Sequence, residues 1–299
     1  MPRTGAFPPP RNLPSCCRIN PALRLLPDPT AASLSPVNGL DLLMTLLPTL
    51  TKLLGWTLLA LALLLAGPLL TLALGQATMR GDWRTATHRS IGLAPDPAAH
   101  PKAVVQVYAS RTFGWRGAFA VHTWVAAKPA GAPRYTRYEV IGWRAMGGGS
   151  ALSVSDSVPP DAEWYGAAPT RIADLRGPAA EAVIAKLPQA AQSYPYATRY
   201  SAWPGPNSNT FVAHLGREIP ELRLALPSLA IGKDYLEGGR VLAPAPSGTG
   251  YQVSLGGVVG VMLAREEGLE LNVFGLVAGI DVLHPALKVP GVGRVPGGV

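Results

Sequence analysis

The stretch RGAFAVHTWVAAKPAGAPRYTRYEVIGW, residues 116–143, decides the fold. It holds two runs rich in β-branched and aromatic residues, separated by a turn containing Pro129, Gly131 and Pro133, which is the composition of two adjacent strands. Side chains alternate along a strand, so Phe119, Val121, Thr123 and Val125 share one face of the first run. Ala120, His122 and Trp124 share the other. In the second run Arg137, Glu139 and Ile141 fall on one side. If the two strands pair as neighbours across KPAGAPR, Glu139 comes beside His122; the sequence leaves the register open.

Outward from this pair, AVVQVYA (103–109) reads as another strand and MGGGSALSVSDSVPPDAEW (146–164) as a flexible polar loop. RGPAAEAVIAKL (176–187) reads as a helix with Pro178 in its first turn, Glu181 near its start and Lys186 near its end, as the macrodipole prefers; Pro188 is expected to end or kink it. A second helix, TFVAHLGREI, places Phe211, Val212, Leu215 and Ile219 on one stripe and is stopped by Pro220, with Ser208 or Asn209 expected as its N-cap. These elements predict an α+β domain, an antiparallel sheet packed on helices. From residue 248 onward, two short apolar runs flank REEG and read as core elements with glycine bends, a membrane-apposed surface being the alternative.

The 48% apolar content and 15% charged content have a second source besides the core. LLGWTLLALALLLAGPLLTLAL (53–74) carries no charge and as a helix spans about 33 Å, enough for a hydrocarbon core of ~30 Å. A transmembrane anchor is therefore expected over 53–75, an uncleaved span rather than a removed signal sequence. A proline- and arginine-rich tail, disordered or an over-extended reading frame starting truly at Met44, is expected over 1–52. The proline-punctuated segment 76–101 is the expected linker, and 102–299 the globular domain. Arg80, Arg84 and Arg89 after the span argue for a cytoplasmic C-terminal side, whereas the usual signal-anchor route argues for a periplasmic one. The expected location is the bacterial inner membrane with a periplasmic domain, and the expected partner is the lipid bilayer.

Cys16 and Cys17 both lie in the tail, so the globular domain has neither thiol nor disulfide. The net charge of +8 comes without a dense Lys/Arg run interleaved with aromatics, which argues against nucleic acid as a partner. A dinucleotide fingerprint, a phosphate-binding loop and a helical zinc-protease pair are all missing, so no cofactor and no metal are expected.

Ser208 is where chemistry enters. A seryl hydroxyl at a helix start is either a cap or a nucleophile, because free first-turn N–H groups and the helix dipole also stabilise an oxyanion. As catalyst it needs His122 as base and Glu139 to fix the imidazole's tautomer. Trp124, Tyr200, Trp203, Asn207 and Asn209 are the expected substrate-binding residues.

VQVYASRTFGWRGAFAVHTW, YPYATRYSAWPGPNSNTFVAHLGREIPEL, IGKDYL and APSGTGYQ together resemble an uncharacterised proteobacterial family, domain of unknown function 3750, over nearly all of 102–294. More distantly, NSNTFV (207–212) is similar to the Asn-Cys-x-x-Phe-Val helix start of circularly permuted papain-like proteins, the NlpC-type cell-wall hydrolases and lecithin retinol acyltransferase relatives. That likeness implies a permuted papain-like fold with an earlier strand histidine, here His122. It also implies hydrolysis or acyl transfer at an amide or ester of a cell-wall peptide or acyl lipid. Ser208 stands where those enzymes carry cysteine, and a hydroxyl depends almost wholly on its base. A noncatalytic envelope ligand-binding module of the same fold is the competing expectation.

Overall fold

The computed structural model describes residues 39–77 and 84–297. Most of the expected tail, with Cys16 and Cys17, and the flanking Arg80 lie outside the described residues. The described residues from Trp56 onward form one compact unit, and those up to Gly55 are set apart from it.

Helix α1 (Gly39–Ala73) begins well before Leu53 and runs through Pro48 and Lys52. Leu42–Ala73 is long and apolar enough to cross a membrane, with a mean hydropathy of 2.2. Its last turns pack on the far C-terminal part of the chain, where Thr71 Oγ1 donates to Gly291 O at 2.9 Å. Gly67 lies so close to Pro290 O that a Cβ there would overlap it. Gly67→Ala is accordingly expected to prise this contact apart at a cost of about 1–3 kcal/mol, read as a lowered thermal midpoint of the detergent-solubilised chain. Gly55→Ala, with open space around it, should leave the midpoint unchanged.

The first sheet contains β1 (Val104–Arg111), β2 (Val121–Lys128), β3 (Thr136–Val140), β4 (Leu152–Ser155) and β5 (Thr170–Arg176), in the order β4-β3-β2-β1-β5. All its neighbours are antiparallel. The pairing of the 116–143 runs is as the alternation predicts. β4, however, occupies part of the expected loop, and β5 (TRIADLR) was hidden by its charges, which suit an edge strand. The short helix α2 (Gly142–Met146) follows β3.

Helices α3 (Pro178–Gln192) and α4 (Ser208–Glu218) cover one face of this sheet, burying Val183, Leu187, Phe211, Val212 and Leu215 against Val105, Val107, Val121 and Val125. α3 continues past Pro188 because Ala190 and Ala191 belong to that core, and their burial outweighs the one backbone bond a proline forfeits. The other face holds a second, aromatic cluster of Tyr108, Trp124, Tyr135 and Trp164. The segment before β1 does not stand clear as a linker. Leu93 and Ala94 pack on this cluster, and the Ala94 amide donates to Asp161 Oδ2 at 3.1 Å.

The second sheet is a seven-stranded meander: β6 (Leu242–Pro244), β7 (Gly250–Leu255), β8 (Val259–Ala264), β9 (Gly268–Val273), β10 (Leu276–Asp281), β11 (Ala286–Val289) and β12 (Gly293–Val295). The expectation that 248 onward forms apolar core is corrected here. Tyr251, Val253, Val261, Leu263 and Leu271 are exposed; the inward positions of β7 and β9 are polar, and the apolar contribution from within the sheet is small, chiefly Met262, Ala264 and Val277. Beneath the sheet, buried Glu270 pairs with both Lys233 and Lys288, and Asn272 Nδ2 donates to Asp234 Oδ2 at 3.1 Å.

Candidate functional site

The β2–β3 register sets Ala126 opposite Arg137, which brings Glu139 diagonal to His122 on the same face. His122 Nε2 lies 3.0 Å from Glu139 Oε2, and Arg137 Nη2 donates to the same oxygen at 2.8 Å. All three residues are buried. The Arg137 guanidinium rests 4.1 Å over the Trp124 ring, and Trp164 stacks on the imidazole at 3.6 Å.

Burial pushes the His122 pKa below its ordinary value; Glu139 opposes the shift and Arg137 adds to it. Burial alone would raise Glu139, but the hydrogen bond from His122 and the charge of Arg137 hold its carboxyl below the usual range. A neutral imidazole facing a carboxylate donates through Nε2 and keeps its lone pair on Nδ1. Nδ1 makes no hydrogen bond among the described residues.

At the tip of α4 the cap is Asn207, not Ser208 or Asn209. Its Oδ1 accepts from the amides of Asn209 at 2.9 Å and Thr210 at 3.1 Å, and Thr210 Oγ1 accepts from the Asn207 amide at 3.1 Å. The reciprocal pair satisfies the first-turn donors from one residue earlier than expected. Asn209 is spent on the sheet: its Nδ2 donates to Val121 O at 2.9 Å and its Oδ1 accepts from Thr123 Oγ1 at 2.9 Å. Ser208 is buried, and neither its hydroxyl nor its amide is hydrogen-bonded among the described residues.

Those Asn209 bonds grip the residues on either side of His122, yet α4 lies on the Thr123 face of the sheet. The imidazole points to the other face, among Trp124 and Trp164. No hydrogen bond joins Ser208 to His122.

Of the five expected substrate-binding residues, three are internal. Asn207 and Asn209 are committed as above, and Trp124 is wholly buried with its indole N–H donating to Pro160 O at 2.7 Å, so no face of its ring is open. Trp203 is exposed, its indole N–H donating to Phe274 O at 3.0 Å. Tyr200 lines a surface cleft of about 360 Å³ with Gly142, Met146, Arg199, Gly205 and Pro206. A Cβ on Gly142 would meet the Tyr200 ring.

Residues 102–235 match a family model described as a protein of unknown function, DUF3750. This segment is a DUF3750 domain. The DUF3750 match takes in the first sheet, α3 and α4, and stops before the meander, so APSGTGYQ falls beyond it. No curated protein and no solved structure matches the chain. The papain-like likeness therefore rests on the NSNTFV motif alone.

One cluster, at the C-terminal border of the DUF3750 domain, escaped sequence reasoning. His214 Nδ1 pairs with Glu237, while Nε2 lies 2.8 Å from Ala190 O and 3.1 Å from Ser193 Oγ. A nitrogen facing a carbonyl must donate to it, so Nε2 has no lone pair for the serine. Ser193 Oγ donates to the same carbonyl at 3.0 Å. The trio caps the end of α3 and is no catalytic relay. The available signal was α3 ending in Ser193 with no basic residue in its last turn.

Proposed function

We propose that this is a membrane-anchored cell-envelope protein whose DUF3750 domain binds an envelope ligand without turning it over, the domain facing the periplasm. The observation carrying this reading is the imidazole's setting: His122 is stacked under Trp164, bonded to Glu139 and turned to the sheet face opposite α4. A base so placed cannot take the Ser208 proton, and a seryl hydroxyl without its base is a poor nucleophile. The ligand site is the cleft of Tyr200 and Arg199, whose aromatic wall and cation suit a short peptide bearing a carboxylate, such as a cell-wall stem peptide.

Soluble stem peptide titrated into the solubilised full chain should bind, with Arg199→Ala and Tyr200→Ala each weakening it roughly tenfold or more, the loss of one charge-assisted or aromatic contact. Binding unchanged by either substitution sinks the cleft as the site. A Ser-His hydrolase or acyltransferase acting on an acyl lipid or peptide is the second reading, favoured by the unpartnered hydroxyl and amide of Ser208 at a helix N-terminus. A serine-reactive fluorophosphonate separates the two. Equal labelling of wild type, Ser208→Ala and His122→Ala is expected, and labelling lost in both variants would establish the enzyme.

A further inference from the structure

We propose that the outer face of the β6–β12 meander lies on the lipid bilayer, on the leaflet from which α1 emerges. The proposal rests on α1 crossing the membrane, and its test keeps the two claims apart.

The meander is inverted relative to an ordinary half-buried sheet. The strand registers align Tyr251, Leu263, Leu269, Ile280, Leu287 and Val295 in one row across six strands, all exposed. No outward position on any of the seven strands carries a charge, while Glu270, Asp281, Lys288 and Arg294 all point inward and are paired there. With about 4.8 Å between strands and about 3.3 Å per residue, the face covers roughly 500 Å², at the upper end of the single apolar patch a protein surrounded by water keeps, the size at which such patches mark an interaction or membrane surface.

Lipid is the occupant because of what adjoins the sheet. Leu42 through Leu63 are exposed along their whole length, about 33 Å of helix at about 1.5 Å per residue, long enough to cross a hydrocarbon core, with Lys52 the single charge among them. The following turns of α1 are clasped by the β11–β12 turn through Thr71 and Gly67. The meander is thus held where the helix leaves the bilayer. Arg240 beside β6 and Arg265 in the β8–β9 turn are exposed at the border of the face, where lipid phosphates would meet them. A protein partner would call for several polar groups at the patch to set its register, and the outward strand positions offer only the Tyr251 hydroxyl.

The test uses the full chain with Cys16→Ser and Cys17→Ser in nanodiscs of phosphatidylethanolamine and phosphatidylglycerol, with or without bromine on the acyl chains. Bimane is attached singly at Leu263→Cys or Leu287→Cys on the sheet, Leu54→Cys in α1, and Ala182→Cys on the exposed side of α3. Bromolipid should quench the two sheet positions and Leu54→Cys, leaving Ala182→Cys as bright as in unbrominated discs. Quenching at Leu54→Cys without quenching at the sheet overturns this proposal alone; no quenching at either overturns the anchor as well. Loss of bimane emission only when a second, nitroxide-labelled copy is added would assign the face to another copy of the chain, and also overturns it.

Discussion

Replacing Glu270 by alanine is expected to destabilise the chain by about 3–5 kcal/mol, the cost of leaving buried charge without its partner. Two ammonium groups depend on this one carboxylate, since Lys233 and Lys288 both pair with it and all three side chains are buried. Burial alone would raise the Glu270 carboxyl, but the two lysines outweigh it and hold it below the usual range. Burial would lower Lys233, and Glu270 with Asp234 raises it instead. The carboxylate's contribution to stability is thus complete above about pH 4.3, its unfolded value, and is lost as pH falls through the lower folded value. The lysine's contribution is complete below about pH 10.4 and is lost as pH rises through its higher folded value. Urea unfolding of the solubilised chain followed by tryptophan emission measures both. The stability difference between wild type and Glu270→Ala should be largest and constant between those limits, and shrink beyond either. The triple variant Lys233→Met, Glu270→Leu, Lys288→Met should recover most of the loss, because it removes the desolvated charges together. An alanine variant as stable as wild type would mean that the lysines find other partners or water.

The same network explains what could and could not be read from the sequence. Alternation along 116–143 was enough to put His122 and Trp124 on one strand face and Glu139 on the neighbouring strand, because a period of two survives any tertiary context. Alternation has no sign, however. Along β7 and β9 of the meander it separates apolar from polar residues just as clearly, and only the pairing of Glu270 with lysines far apart in the chain decides that the polar side is inward. The α4 cap failed for a subtler reason: Asn207, Ser208 and Asn209 are all good N-caps, and the choice fell to the residue whose side chain reaches the next two amides while Thr210 answers it. The strand pattern also carries the setting of His122 relative to α4. Thr123, not His122, shares the face on which α4 packs, and Val121 and Val125 on that face lie in the core with Phe211 and Val212.

Glu139→Ala carries the second large effect, again about 3–5 kcal/mol, because it strands the buried Arg137 guanidinium. Arg137 Nε has no partner as it is, so the charge has nowhere else to turn. Glu139→Gln keeps an acceptor for Arg137 Nη2 and should cost less, whereas Arg137→Met with Glu139→Leu should approach wild type. His122 gives this site its own pH signature. Its folded pKa is depressed, so its contribution is complete above the unfolded value of about 6.5 and falls away as acid protonates the unfolded chain first. Stability should therefore start to drop below about pH 6.5, before the lowered carboxyls of Glu139 and Glu270 titrate. Isosteric His122→Gln, which keeps an amide donor for Glu139, should flatten the curve between there and the carboxylate range. A wild-type curve already flat in that window would show that the imidazole charges in place beside Glu139, and with it the neutral, lone-pair-bearing Nδ1 would go.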